Sequence, residues 1–277
     1  MTVSIELETI RLDHPSPGIL LATLNRPGRL NAMTPQMFAD LIVLGEAVNS
    51  DEDERVVVLT GAGRAFCAGG DLSNMVDIES WSSTRMRRHQ ELGAGAMTAL
   101  RGIGIPVIAA VNGPATGGGL SLALGADLRY ASPAAKFNAA FTRLGFSGGQ
   151  LGTSWLLPRL IGWGLTSELL LTGRFMDAAE AERTGLVNKV VAAETLLDHV
   201  MDIARSIAAL PPEAVRSTKA DMQLNLETAT FAGAMEIETR TQILRGRDQE
   251  MHGALDKVRR ELGLVGQQDK KASEESA

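Results

Sequence analysis

The chain has 277 residues, of which 44% are hydrophobic and 22% charged, with a formal net charge of −6 and a single cysteine, Cys67. That composition is ordinary for a soluble globular protein and long enough for one large domain with an accessory element. The negative balance, with no basic run or aromatic-interleaved basic patch, argues against a nucleic-acid partner, and a lone cysteine excludes an intramolecular disulfide and fits a reducing compartment.

The N-terminal stretch MTVSIELETIRLD has no positively charged start followed by an apolar segment, so it shows no secretory leader. No apolar run is long enough to span a bilayer. A cytoplasmic location without a membrane partner is therefore expected. Residues 4–12 and 18–25 read as strands joined by a turn at His14-Pro15-Ser16-Pro17. A helix is expected over 34–50, with Thr34 as N-cap and Pro35 at its first position. Then follow a strand at 55–60, a helix at 82–101, a strand at 106–112, a helix at 118–125 and a strand at 127–131. This alternation implies parallel strands joined by right-handed crossovers. From Ser154 onward the pattern is almost wholly helical. Asp177 opens one helix, with Glu180 three residues later as in a capping box. Leu196, Val200, Ile203 and Ile207 mark the stripe of another, ended by Pro211-Pro212, and residues 213–262 read as two more. The last eleven residues, QQDKKASEESA, are polar and are expected to be disordered.

Two glycine-rich turns carry the chemistry. RAFCAGGDL (residues 64–72) follows the apolar run Val56-Val57-Val58-Leu59, and NGPATGGGL (residues 112–120) follows Val107-Ile108-Ala109-Ala110-Val111. A buried strand that empties through small residues into a helix start leaves backbone N–H groups unpaired, with the helix dipole behind them. Two such corners close in space could grip one developing oxyanion, at roughly 3–4 kcal/mol per donor. Tight helix–sheet packing is the alternative use of the same glycines.

Other sites are excluded. There is no GxxxxGK[ST] loop and no GxGxxG fingerprint, and His14, His89, His199 and His252 have no zinc-ligand spacing. No metal or redox cofactor is implied. Gly145-Phe146-Ser147-Gly148-Gly149 does satisfy GxSxG, with Asp177 or Asp198 and His199 or His252 following in the chain order of a serine hydrolase. Against it, no HGGG-type oxyanion element is present and residues 137–144 make a poor strand.

LATLNRPGRLNAM (residues 21–33), VVLTGAGRAFCAGGDL (57–72), IPVIAAVNGPATGGGLSLALGADLRYAS (105–132) and LTGRFMDAAEAERTGLVNKVV (171–191) together resemble the crotonase, or enoyl-CoA hydratase/isomerase, superfamily. The likeness covers about residues 5–260. It implies an α/β fold, a crotonase-like spiral of ββα units with a helical C-terminal oligomerisation region. It divides the chain into an acyl-CoA-binding core at 1–200, a helical trimerisation region at 201–266 and the tail at 267–277. It also implies an acyl-CoA thioester substrate and a homotrimer or dimer of trimers.

The family's two oxyanion amides map by this resemblance onto Ala68 and Gly118. Ala32, Gly69, Gly70, Leu72, Thr116, Gly117 and Leu144 fall among its substrate-binding positions, and Asp71 caps the helix after the first turn. Arg26 and Arg29 stand where relatives place cations against the CoA phosphates, a local positive spot on a negative chain. The departures decide the mechanism. The first catalytic glutamate of the hydratases maps to Ser121 and the second to Phe141, while the aspartate that dienoyl-CoA isomerases carry aligns with Gln150. None of the three can take up a proton usefully. Ser121 and Gln150 remain candidates for ordering water, and His89, in the stretch 81–92, can titrate. Met75, Met86, Phe141, Leu144, Phe146 and Trp155 are the expected apolar wall. The sequence therefore points to a hydratase/isomerase-type protein without the usual glutamates. The alternatives are a non-catalytic acyl-CoA binder and, more remotely, a hydrolase working through Ser147.

Overall fold

The structure is a computed structural model that describes residues 5–264. Its chain divides into two compact units, one ending at Ala208 and one beginning at Ala209. The break falls where a helix ends, whereas the division expected at residue 200 lies inside that helix. The expected disordered tail at 267–277 lies outside the described residues.

In the first unit, β1 (Ile10–Ser16) pairs antiparallel with β2 (Ile19–Leu24). The hairpin was expected to start nearer the N-terminus and to turn at residues 14–17. Instead Pro15 falls within β1, where the register shifts between Asp13 and Ser16, as suits a proline on an edge strand. β2 then pairs parallel with β3 (Val56–Gly61), β3 with β4 (Val107–Val111), β4 with β6 (Leu128–Ala131) and β6 with β9 (Lys189–Val190). Parallel strands covered on both faces read as continuous apolar runs, and these do. Leu20, Ala22, Leu24, Val57, Leu59, Val107 and Ala109 face a core that includes α1 (Pro35–Ser50), α2 (Ser83–Arg101) and α3 (Gly118–Gly125). Ile19, Leu21, Val56, Val58, Ile108 and Ala110 face the other way, against Leu196, Val200, Met201 and Ala204 of α7 (Leu196–Ala208).

The helix starts follow local chemistry. Thr34 accepts a hydrogen bond from Met37 N with Pro35 at the first position, and Ser82 accepts from Arg85 N. A second, three-stranded sheet was not expected. It pairs β5 (Ala115–Thr116) with β7 (Lys136–Asn138) and β7 with β8 (Met176–Asp177). α4 (Thr153–Ile161) and α5 (Trp163–Thr172) lie between β7 and β8 in the chain, and α6 (Ala178–Thr184) follows β8. Asp177 caps α6 by accepting from Glu180 N, while the Glu180 carboxylate is bound to Arg174 and does not complete the box.

Among the described residues the second unit has three helices where two were expected: α8 (Pro212–Asn225), α9 (Phe231–Arg245) and α10 (Gln249–Glu261). The additional break is set by capping, because Thr230 accepts from Gly233 N and Asp248 from Glu250 N.

Candidate active site

The two glycine turns are laced together. After β3 the chain passes through Phe66 and Cys67, and Cys67 N donates to Pro114 O at 3.1 Å while Thr116 N returns a bond to Cys67 O at 3.0 Å. Thr116 Oγ1 donates to Ala68 O at 2.8 Å. Gly69 has φ +90, and a Cβ there would stand 2.6 Å from Thr116 O and 3.4 Å from Gly118 N. A Cβ on Gly119 would stand 2.0 Å from Cys67 O, so the start of α3 touches the first turn backbone to backbone. Behind both, the fully buried Asn31 donates from Nδ2 to Ala62 O and Ala65 O and accepts from Arg26 N.

The destinations of the backbone N–H groups correct one expectation. Ala68 N already donates to Leu30 O at 3.0 Å, so it is not a vacant donor. Asp71 N donates to Met33 O, and Gly69 N faces the Cys67 thiol, whose pKa burial pushes up to about 12. Gly70 N has no acceptor among the described residues. Neither has Gly118 N, which belongs to the first turn of α3, where helix amides lack intrahelical partners. Both residues line one cavity of about 360 Å³.

That cavity is walled by apolar groups. Met75, Phe141, Leu144 and Phe146 line it as expected, but Met86 and Trp155 do not. Trp155 instead sits between the guanidinium groups of Arg101 and Arg159, 5.0 and 3.9 Å from its ring centre. Ala68, Gly69, Leu72, Thr116, Gly117 and Gln150 also reach the wall. No aspartate or glutamate does, and the ionisable side chains among the lining residues are those of His89 and Arg143. His89 is half-buried and its pKa is lowered by desolvation. Its ring stands edge-on to Trp81 at 5.2 Å and to Phe38 at 6.1 Å. Next to it Gln90 accepts from Gln150 Nε2 at 2.8 Å.

Other expected site residues fall elsewhere. Ser121 is fully buried and does not line the cavity, and its Oγ lies 3.5 Å from Gly117 O in its own helix. Its place on α3 faces the core. Arg26 is paired with the buried Asp71 at 3.0 Å and also donates to Ala32 O, which ties Arg26, Ala32 and Asp71 into the loop framework outside the cavity lining. Asp71 accepts from Ser73 N and Oγ and from Arg26, and these bonds hold its carboxyl below the usual range. It caps a short 3-10 turn at Leu72–Met75. Arg29 is exposed at the end of another such turn.

Ser147 does not sit on a nucleophile elbow. It follows the 3-10 turn Thr142–Leu144 rather than a strand, lies outside the cavity lining, and its Oγ accepts from Gly149 N. Sequence reasoning missed Gln90, Arg143, Asn138 and Phe175 as lining residues, for they come from four separate segments with no shared motif.

A family model described as "Enoyl-CoA hydratase/isomerase" matches residues 15–256. The chain belongs to the enoyl-CoA hydratase/isomerase family. A probable enoyl-CoA hydratase of Mycobacterium leprae is 41% identical over 240 residues, covering 85% of this chain and 82% of the relative. The 1,2-epoxyphenylacetyl-CoA isomerase of Escherichia coli is 36% identical over 248 residues, covering 85% and 90%. The crystal structure of an enoyl-CoA hydratase from Bacillus anthracis superposes with a TM-score of 0.87 at 31% identity, covering 92% of this chain and 97% of that one. The mixed α/β spiral with a helical C-terminal region is the family's crotonase fold. Among the described residues no helix is long and apolar enough to cross a membrane, and no group of three metal-ligating side chains is present.

Proposed function

We propose that this member of the family is an enzyme that binds an acyl-CoA thioester and activates it at the α-carbon. The thioester oxygen lies between Gly70 N–H and Gly118 N–H, with the acyl chain in the apolar cavity. What carries this reading is that two amides without acceptors among the described residues, one from each glycine turn, belong to residues that line the same cavity. Donors fixed in a framework and aimed at a developing enolate oxygen cost no reorganisation, and each is worth about 3–4 kcal/mol of barrier. Gly118 adds the partial positive end of α3. Of the two expected phosphate contacts, the exposed Arg29 is the one left for the CoA phosphates, since Arg26 is held by Asp71. A homotrimer or dimer of trimers, assembled through the C-terminal helices in the cytoplasm, completes the proposal.

The test is mass- and isomer-resolved product analysis after incubation with 2-enoyl-, 3-enoyl- and dienoyl-CoA thioesters of several lengths. Gly118→Pro serves as the control, because it removes one donor outright. A shifted double bond or an added water that the control abolishes supports the proposal. Unchanged thioesters, from protein shown to bind them, would instead favour the second reading of a non-catalytic binder, which the absence of carboxylates from the lining supports.

A further inference from the structure

A thioester enolate needs a group that takes the proton from carbon, and the family's carboxylate positions hold Ser121 and Phe141 here. Ser121 is shut in the core, Phe141 cannot ionise, and Gln150 is an amide bonded to another amide, Gln90. We propose that His89 is the catalytic base of this cavity, and that it shuttles one proton between the α- and γ-carbons of an enoyl-CoA, so that the reaction is double-bond migration rather than hydration. This deepens the acyl-CoA reading and rests on it.

The geometry supports the assignment in three ways. His89 reaches the cavity from α2, and so does Gly93, one helical turn on. The side chain of Leu151 spans from Gly93 to Gly118: its Cδ2 would lie 3.2 Å from a Cβ on Gly93, and its Cδ1 3.4 Å from a Cβ on Gly118. Gly93, one turn along α2 from His89, is therefore separated from Gly118 by about one side chain, and His89 lines the same cavity as both. Trp81 and Phe38 pack against the imidazole in T-shaped contacts, and no protein hydrogen bond to its nitrogens is present among the described residues, so aromatic packing rather than hydrogen bonding orients the ring.

The surroundings keep it neutral. Its own helix carries Arg85, ion-paired to Asp77 and stacked on Trp81, with Arg87, Arg88 and Glu91 exposed. α1 presents Phe38, the segment before α4 presents Gln150 and Leu151, and the 3-10 turn Thr142–Leu144 presents Arg143. No carboxylate faces it within the lining. Burial lowers the ring's pKa, which favours the free base at neutral pH.

The step balances without a co-reactant. An imidazole nitrogen takes the α-proton of a 3-enoyl thioester, and the C–H electron pair moves into the dienolate held by Gly70 N–H and Gly118 N–H. The imidazolium then returns the same proton to the γ-carbon, leaving the 2-enoyl thioester and neutral His89. Hydration would need a second group, one acting on water while the other protonates the α-carbon, and the lining offers one titrating base.

The experiment compares parent, His89→Gln and His89→Asn proteins. Each is assayed for 3-hexenoyl-CoA isomerisation, for exchange of the α-protons of hexanoyl-CoA in deuterated water, and for hexanoyl-CoA binding. The parent should give 2-hexenoyl-CoA without 3-hydroxy product, with kcat/KM falling in acid along a limb below the ordinary histidine value of about 6.5. Both variants should lose about 10²-fold or more in kcat/KM, lose the acid limb, and bind hexanoyl-CoA within about threefold of the parent. Isomerisation and an acid limb that survive in the variants would overturn the role of His89 and leave the thioester reading standing. Hydration as the parent's product would do the same, whereas binding with neither turnover nor exchange would overturn the role of His89 together with the catalytic reading and leave the non-catalytic binder. A parent that binds no thioester would bring down both.

Discussion

Gly119→Ala puts the coupling between the two glycine turns to a direct test. Gly119 is the second residue of α3, and an added Cβ would stand 2.0 Å from Cys67 O, 2.8 Å from Cys67 C and 2.9 Å from Cys67 Cβ. Ordinary contact begins at 3.4 Å, and the obstructing atom is backbone. Cys67 cannot retreat cheaply, since its carbonyl accepts from Thr116 N and its own N–H is bonded to Pro114 O. Relief therefore requires the start of α3 to move away by roughly 1 Å or more, carrying Gly118 N away from Gly70 N. A misplacement of that size costs about 10²-fold in kcat/KM. The overpacking itself should cost about 1–3 kcal/mol of stability. Initial rates with an enoyl-CoA, thioester binding and a denaturant melt separate the two effects. Gly164→Ala in α5 is the control: its Cβ meets nothing within 4 Å, and it should gain about 0.4–1 kcal/mol with activity unchanged. A folded Gly119→Ala protein whose kcat/KM stays within about threefold of the parent would refute the argument that the spacing of the turns activates the carbonyl.

Two further outcomes follow from the charged residues of the loop framework. Asp71 is held below the usual carboxyl range by Ser73 first and Arg26 next, so its contribution to stability is fully present above the unfolded-state value of about 3.9 and is lost as pH falls through the lower folded value. Asp71→Asn should therefore flatten the fall in unfolding free energy below about pH 4, and a denaturation series in which parent and variant run parallel would count against the pairing. Arg29→Glu should weaken binding of an acyl-CoA about fivefold but leave an acyl-pantetheine without the nucleotide phosphates unaffected. Equal losses for both ligands would remove Arg29 from the phosphate contact.

What could be read from the sequence was what local chemistry controls. Thr34 with Pro35, Ser82, and the small-residue entry to Gly118–Gly125 each carry their own start signal, and the helices begin there. The buried parallel strands are apolar runs that need no partner to be recognised. Strands of two or three residues, such as Ala115–Thr116 and Lys136–Asn138, have no period to detect and exist only because the tertiary fold pairs them. The site shows the same division. The glycine turns were visible, but choosing between Ala68 and Gly70 as donor depends on Leu30 O, a carbonyl in a distant turn where Leu30 and Asn31 both have positive φ. Arg26 looked like a free cation because nothing local announces its bond to Asp71. Ser121 looked like a site residue until the facing of α3 buried it.

The carboxylate-free lining and a histidine base are one arrangement, on the proposed mechanism. An apolar wall strengthens the pull of the Gly70 and Gly118 amides on a carbonyl, because less dielectric screens it. The same wall disfavours an imidazolium, which keeps His89 able to accept a proton. A carboxylate in that wall would undo the second effect. Phe141→Glu makes the point testable, since both side chains line one cavity of about 360 Å³. At the effective dielectric of a protein interior, the new charge should raise the His89 pKa. The sign is fixed: the acid limb of kcat/KM moves to higher pH, and activity at neutral pH falls although a carboxylate has been added. NMR titration of the His89 ring would follow the same shift without relying on turnover. An acid limb that stays in place, or a variant that gains activity with His89 also replaced by Gln, would show that the proton passes through another group.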